Sequence, residues 1–193
     1  MRLFAALVPP DEVLDEIAQA IAPHVGQVPG LRWPDRATWH ITLGFFGEVP
    51  ESVLPELETR LARAVHRHSA LDLAFQGFGG FSSARRARVF WVGLTGDPMT
   101  RLADSVRAGA RRAGAVQTDE KRFHAHLTLA RAKTETDLRP LVEALTDFSG
   151  SPWRAEAVHL VRSHTPSRTR PETRPEMRYE SLAEWSLAPS AQS

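Results

Sequence analysis

Hydrophobic and polar positions recur along this chain with two different periods, and the switches between them mark out its elements. The opening "RLFAALV" is a nearly continuous apolar run that stops at Pro9 and Pro10, which predicts a buried strand over Arg2–Val8. In "DEVLDEIAQAIAPHV" the residues Val13, Leu14, Ile17, Ala18 and Ile21 fall at helical spacing, and the acids sit at the N-terminal end, where the helix dipole favours them. A polar turn around Pro29–Arg36 leads to a strand at His40. "PESVLPELETRLARAVHRH" predicts a second helix with an apolar face of Val53, Leu54, Leu57, Leu61, Ala64 and Val65. "LDLAFQGFGGF" alternates as a half-buried strand does, and "RVFWVGL" follows it after a basic turn at Ser82–Arg88. "PMTRLADSVRAGARRAG" predicts a third helix ended by Gly114. Beyond it come a strand through His126, a helix near Thr136–Leu145, a strand around Ala155–Val161 and, after the proline-rich "SHTPSRTRPETRPE", a last strand Tyr179–Leu187.

After the opening strand, the order helix, histidine strand, helix, two strands therefore occurs twice. That predicts an α+β or α/β protein of two similar lobes facing each other, with both histidine strands beside a shared cleft. No linker separates the halves, so residues 1–193 are expected to fold as a single domain.

Composition narrows the chemistry. Hydrophobic residues make up 42% and charged residues 24%, ordinary for a globular protein. The absence of cysteine excludes disulfides, thiolate zinc sites and a cysteine nucleophile. The opening apolar run is too short for a signal-peptide core or a bilayer span, so a cytoplasmic protein without a membrane partner is expected. A net charge of +1 gives no global field of the kind that strong nucleic-acid binders carry. The cations are clustered, however: Arg85, Arg86 and Arg88; Arg111, Arg112, Lys121 and Arg122; and Arg162, Arg168, Arg170, Arg174 and Arg178. Such clusters are ordinarily solvated faces, and they gain meaning only beside a site that handles phosphate.

Two short stretches suggest such a site. "WHITLGF" carries His40 and Thr42, and "FHAHLTLAR" repeats the pattern as His126 and Thr128. Residues i and i+2 of a strand share a face, roughly 7 Å apart, so each motif presents an imidazole and a hydroxyl while Ile41, Leu43, Leu127 and Leu129 point to the core. Imidazole is the side chain best poised for proton transfer near neutral pH, and a hydroxyl can donate to an anionic oxygen. With the two strands side by side, one imidazole can take a proton from a nucleophile while the other gives one to a leaving oxygen at phosphorus. Neither a Gly-x-Ser-x-Gly elbow nor a Gly-x-x-x-x-Gly-Lys loop is present, so acyl transfer and P-loop chemistry are not indicated.

At "HITL" and "HLTL" the sequence resembles the 2H phosphoesterase superfamily, and within it the bacterial RNA 2′,3′-cyclic phosphodiesterases, also called 2′-5′ RNA ligases. "RLFAALVPP", "WHITLGFFGEV", "RVFWVGL", "FHAHLTLAR" and "VHLVRSHTP…RYESLAEWSL" follow that family's order over nearly the whole chain. The resemblance implies a bilobal α+β fold of pseudo-two-fold duplicated antiparallel sheets, with helices outside and a central cleft. It implies His40 and His126 as the acid–base pair and Thr42, Thr128 and Arg131 as phosphate ligands. The implied reaction opens a 2′,3′-cyclic phosphate at an RNA end to a 2′-phosphate without metal or cofactor, and the reverse step joins tRNA halves through a 2′-5′ bond. The implied partner is RNA with cyclic phosphate ends, tRNA fragments among them, and the chain is expected to act as a monomer.

Simple alternation conflicts with one of these roles, since Arg131 and His126 should face opposite sides unless the strand ends or twists near Ala130. Phe45 and Phe123, with Phe46 and Trp33, lie near the motifs and are candidates for stacking on a base, although core packing is the commoner fate of such residues. The Arg85–Arg88 turn and the Arg168–Arg178 loop are candidates for holding the RNA backbone. Rival readings remain at this point. Other 2H proteins act on 2′-5′ oligonucleotides or ADP-ribose 1″,2″-cyclic phosphate; His124 and His126 share a face as metal ligands can; and a non-enzymatic RNA- or nucleotide-binding module would keep the same cleft.

Overall fold

The computed structural model describes residues 1–115, 122–164 and 178–189. In chain order the elements are β1 (Arg2–Leu7), α1 (Asp11–Ile21), β2 (Leu31–Arg32), β3 (Ile41–Glu48), α2 (Leu54–Val65), β4 (Leu71–Gly80), β5 (Ala87–Gly96), α3 (Thr100–Arg112), β6 (His126–Thr136), α4 (Arg139–Ala144), β7 (Trp153–Ala155), β8 (Ala157–His164) and β9 (Arg178–Ser186). The strands form an antiparallel sheet in the order β7-β4-β5-β6-β3-β1-β8-β9, with β2 added on β6. This is the α+β class expected from the alternation of helices and strands.

The duplication is visible in the topology. The unit β1-α1-β3-α2-β4 matches β5-α3-β6-α4-β8 in order, and each half gives its last strand to the other: β4 pairs with β5, and β8 pairs with β1. Reading outward from the central β3/β6 pair, the two arms are therefore equivalent. That central pair is narrow. β3 and β6 meet through the register pair Ile41↔Leu127, whereas β5 lies along β6 from Ala87 to Gly93. A cleft lies over this short seam, lined by residues of both strands.

One face of the sheet is dry. Leu3, Leu7, Ile41, Leu43, Phe46, Phe75, Phe90 and Leu127 join one buried cluster with Val13, Leu14 and Ile17 of α1, Leu57 and Leu61 of α2, and Leu102 and Val106 of α3. Burying each such side chain contributes about 1.5–3 kcal/mol, so this face supplies most of the fold's stabilisation. The other face carries a small separate cluster of Phe4, Ala6 and Val161 against Phe45. The i, i+2 period of β1 explains the division, because Leu3 and Ala5 go to the core while Arg2, Phe4 and Ala6 face the cleft.

Local departures from the sequence reading have local causes. The helix expected near Thr136–Leu145 shrinks to Arg139–Ala144, because the β-branched Thr134 and Thr136 continue β6 and Pro140 fits only a first helical turn. The polar turn around Pro29–Arg36 contains the two-residue β2, which pairs with Arg131 and Ala132. α2 begins at Leu54 after a 3₁₀ turn over Glu51–Val53. No helix among the described residues is long and apolar enough to cross a membrane.

Candidate active site

The seam of the sheet positions the two motifs. Ile41 and Leu127 are register partners and fully buried, so antiparallel pairing sets His40 across from Thr128 and Thr42 across from His126. All four side chains are half-buried on the face opposite the core, where they line a cleft of about 650 Å³. The strands that carry them come from the two halves, so the cleft needs both.

Arg131 reaches the same cleft by a route that simple alternation does not allow. Phe90 pairs with Ala130 but Trp91 pairs with Thr128, so Leu129 is an extra residue in β6. A β-bulge of this kind flips the parity of the strand beyond it. Leu129 and Ala130 are both fully buried, and Arg131 emerges on the face of His126 and Thr128. β3 does the same at the equivalent place. Ala5 pairs with Gly44 and Ala6 with Thr42, leaving Leu43 as the extra residue, and Phe45 emerges beside Thr42. The cleft is thus built from His40, Thr42 and Phe45 on one strand and His126, Thr128 and Arg131 on the other. The symmetric places after the two bulges hold an aromatic ring and a cation, which gives a duplicated site two chemically different sides.

Both imidazoles are fixed in one tautomer. Nδ1 of His40 lies 2.7 Å from the Thr38 carbonyl, and Nδ1 of His126 lies 2.7 Å from the His124 carbonyl. A carbonyl only accepts, so each Nδ1 carries a proton and each Nε2 is left as the reactive nitrogen. Neighbouring rings hold the orientation. His40 packs on Phe4 at 4.6 Å and against the edge of Tyr179 at 5.2 Å, while His126 meets Phe81 edge-on at 4.6 Å. Burial pushes the pKa of His40 below the ordinary imidazole value; the Thr38 carbonyl partly opposes this, and the charges of Arg131 and His126 add to it. His126 is lowered for the same leading reason, opposed by the His124 carbonyl and reinforced by His124 and Arg131. Burial and the Arg131 charge therefore both favour the neutral form of each imidazole in the free site.

The other candidates fall on both sides of the cleft wall. Phe45 and Trp33 line the cleft. Phe123 does not: it packs against the core with the Arg107 guanidinium 5.4 Å over its ring, and Phe46 is fully buried on the core face. Nearness in sequence to a motif made Phe123 a candidate, but it precedes β6 on the core side. The Arg85–Arg88 turn is not among the lining residues, and its Arg86 pairs with Glu135 at 2.7 Å. Of the proline-rich loop, residues 165–177 lie outside the described residues, and Arg178 is exposed at the start of β9. His124 packs on Trp91 at 4.8 Å, and among the described residues no three His, Cys, Asp or Glu side chains gather as a metal site needs. The sequence reading missed Arg2, Phe4, Arg32, Lys133, Ser163 and Tyr179, all of which line the cleft. Two signals were available: Arg2 and Phe4 alternate against the core residues of β1, and Tyr179 is the chain's single tyrosine.

Comparison with known proteins places this architecture. Residues 9–166 match the family model of the 2′-5′ RNA ligase superfamily. The chain belongs to that superfamily. Within the 2′-5′ RNA ligase superfamily it is similar to the RNA 2′,3′-cyclic phosphodiesterase of Archaeoglobus fulgidus, with 35% identity over 134 residues, 69% of this chain and 73% of that protein. The RNA 2′,3′-cyclic phosphodiesterase of Thermus thermophilus is 31% identical over 171 residues, 84% of this chain and 82% of that one. The fold is shared with the crystal structure of TT0787 of Thermus thermophilus, at a TM-score of 0.78 and 27% identity over 99% of this chain and 100% of that one. It is also shared with E. coli LigT complexed with 3′-AMP, at a TM-score of 0.73 and 28% identity over 96% and 97% of the two chains.

Proposed function

We propose that this chain is an RNA 2′,3′-cyclic phosphodiesterase. It opens terminal cyclic phosphates to 2′-phosphates through acid–base catalysis by His40 and His126, within one domain built from both halves. The observation that carries this reading is the pair of imidazoles facing one cleft, each with Nδ1 tied to a carbonyl two residues back and Nε2 left free. The relatives named RNA 2′,3′-cyclic phosphodiesterase, and the LigT structure with 3′-AMP, support the choice of substrate class.

The roles follow from the asymmetry of the cleft. The lining rings Phe4, Phe45 and Tyr179 gather on the His40 side and offer the nucleoside an apolar wall, with Phe45 placed to stack on its base. The ribose therefore lies toward His40. Nε2 of His126 takes a proton from water as the water oxygen attacks phosphorus. The bond from phosphorus to the ribose 3′-oxygen breaks, and that oxygen receives the proton carried by Nε2 of His40. Thr42 and Thr128 donate to the non-bridging oxygens, and Arg131 offsets their charge. The cyclic diester's own negative charge promotes protonation of one imidazole, which supplies the acid that the free site lacks. A 5′-hydroxyl in the place of water gives a 2′-5′ diester by the same proton transfers, which is the ligation reaction.

The deciding assay incubates the protein, in chelator, with adenosine 2′,3′-cyclic phosphate and with a short RNA ending in that group. A 2′-phosphate is the expected product. A 3′-phosphate would reverse the leaving oxygen, and no product from either substrate would overturn the reading.

Two further results are expected. Thr42→Ala and Thr128→Ala each lower kcat/KM about 10- to 100-fold, the worth of one hydrogen bond to a charged group at about 1.5–3 kcal/mol. The pH profile follows from the lowered pKa values. kcat/KM requires His126 neutral and His40 protonated in the free enzyme, and both groups titrate below the ordinary value. The optimum of kcat/KM therefore lies below about pH 6.5 and the rate falls on the alkaline side as His40 loses its proton. The kcat optimum lies higher, because bound phosphate raises both pKa values. Coincident optima above neutrality would contradict this assignment.

A further inference from the structure

We infer that Arg2 and Ser163 form a second phosphate subsite, which takes the phosphate on the 5′ side of the terminal nucleotide and makes the end of an RNA chain a better substrate than a free cyclic mononucleotide. The inference rests on the cyclic phosphodiesterase reading and extends it along the substrate.

Charge raises the question. Arg2, Arg32, Arg131 and Lys133 line the cleft, and among its described lining residues there is no carboxylate. A cyclic phosphodiester carries one negative charge, and Arg131, beside Thr128, is the cation placed to meet it. Arg2, which lies across the β1/β8 register from Ser163, is left without an anionic partner in the cleft unless the substrate continues.

Ser163 shows where it continues. This serine is 7% exposed, its Oγ is buried without a hydrogen-bond partner, and it sits in the cleft wall directly across from Arg2 in the β1/β8 register. Buried hydroxyls are almost always paired, so an orphan in a ligand cleft is a group open to a ligand oxygen. Arg2 stands ready beside it. Its guanidinium rests 5.0 Å over the Phe45 ring, a weak cation–π contact at an exposed position that a phosphate oxygen readily outcompetes.

The spacing fits one nucleotide. Phe4 packs on His40, and Arg2 lies two residues further along β1, about 7 Å at the usual strand rise. A nucleoside held along Phe4, Phe45 and Tyr179, with its cyclic phosphate between the histidines, directs its 5′ oxygen toward Arg2 and Ser163. Tyr179, the register partner of Ser163 on β9, borders the same corner.

The test compares kcat/KM for adenosine 2′,3′-cyclic phosphate with that for the same compound bearing a 5′-phosphate. Wild type prefers the 5′-phosphorylated substrate. Arg2→Met lowers the ratio of the two values about tenfold and Ser163→Ala about threefold, while Lys133→Met leaves it unchanged. Ser163→Ala also leaves the melting temperature equal or higher, since it removes an unpaired buried hydroxyl, so a loss of preference cannot come from a weakened fold. A wild-type ratio of one, equal losses on both substrates in Arg2→Met, or a collapse of the ratio in Lys133→Met would each overturn the subsite while leaving the reaction standing. No turnover of either compound by wild type would remove the reaction, and the subsite with it.

Discussion

Alanine at either His40 or His126 lowers kcat/KM for a 2′,3′-cyclic phosphate about 10²–10⁴-fold, the usual contribution of a positioned acid or base. The double variant is little worse than either single one, because a proton relay that has lost one end has lost its function. The fold survives both changes. Each ring stands on the cleft face, half-buried, while the residues beside it in the strand, Ile41 and Leu127, carry the core packing. Circular dichroism and thermal unfolding close to wild type, together with lost turnover, are the expected result. Near-normal rates in both variants would sink the two-histidine mechanism. Unfolding of both would show instead that the rings are structural, held by Phe4, Tyr179 and Phe81 for stability rather than for chemistry.

Why the motif residues were legible and their surroundings were not has a physical explanation. His40 with Thr42, and His126 with Thr128, are local pairs, and the two-residue period of a strand puts each pair on one face whatever else the chain does. The strand order is a different kind of fact. The exchange of β4 and β8 between the halves is set by which edges are free once the lobes meet, and no local pattern encodes it. The wall of the cleft is equally nonlocal: Arg2 and Phe4 come from β1, Ser163 from β8 and Tyr179 from β9, each far in sequence from either motif. Phe123 is absent from the cleft lining for the converse reason, being close to His126 along the chain but packed against the core. The bulges are an intermediate case. Their trace is the apolar doublet after each threonine, Leu43–Gly44 and Leu129–Ala130, but a doublet becomes a bulge only against a partner strand that skips a residue.

Arg131 offers the sharpest test of that bulge, because the two parities predict different variants. On the cleft face, Arg131→Ala removes the cation beside the phosphate and lowers kcat/KM about 30- to 100-fold, equivalent to about 2–3 kcal/mol for hydrogen bonds to a charged group. Arg131→Lys recovers part of this, since it restores the charge without the planar fork. The variant also moves the pH optimum. The Arg131 charge helps to hold His40 and His126 below the ordinary imidazole value. Its removal lets both rise, so the kcat/KM optimum of Arg131→Ala shifts toward neutral pH, and Arg131→Lys shifts it less. Under regular alternation the same side chain would enter the core beside Leu127 and Leu129. Replacing it would then change the unfolding temperature and leave the pH profile in place. A slower enzyme with an unchanged melting temperature and a raised optimum is the signature of a cleft-facing arginine, and it follows from the single extra residue at Leu129.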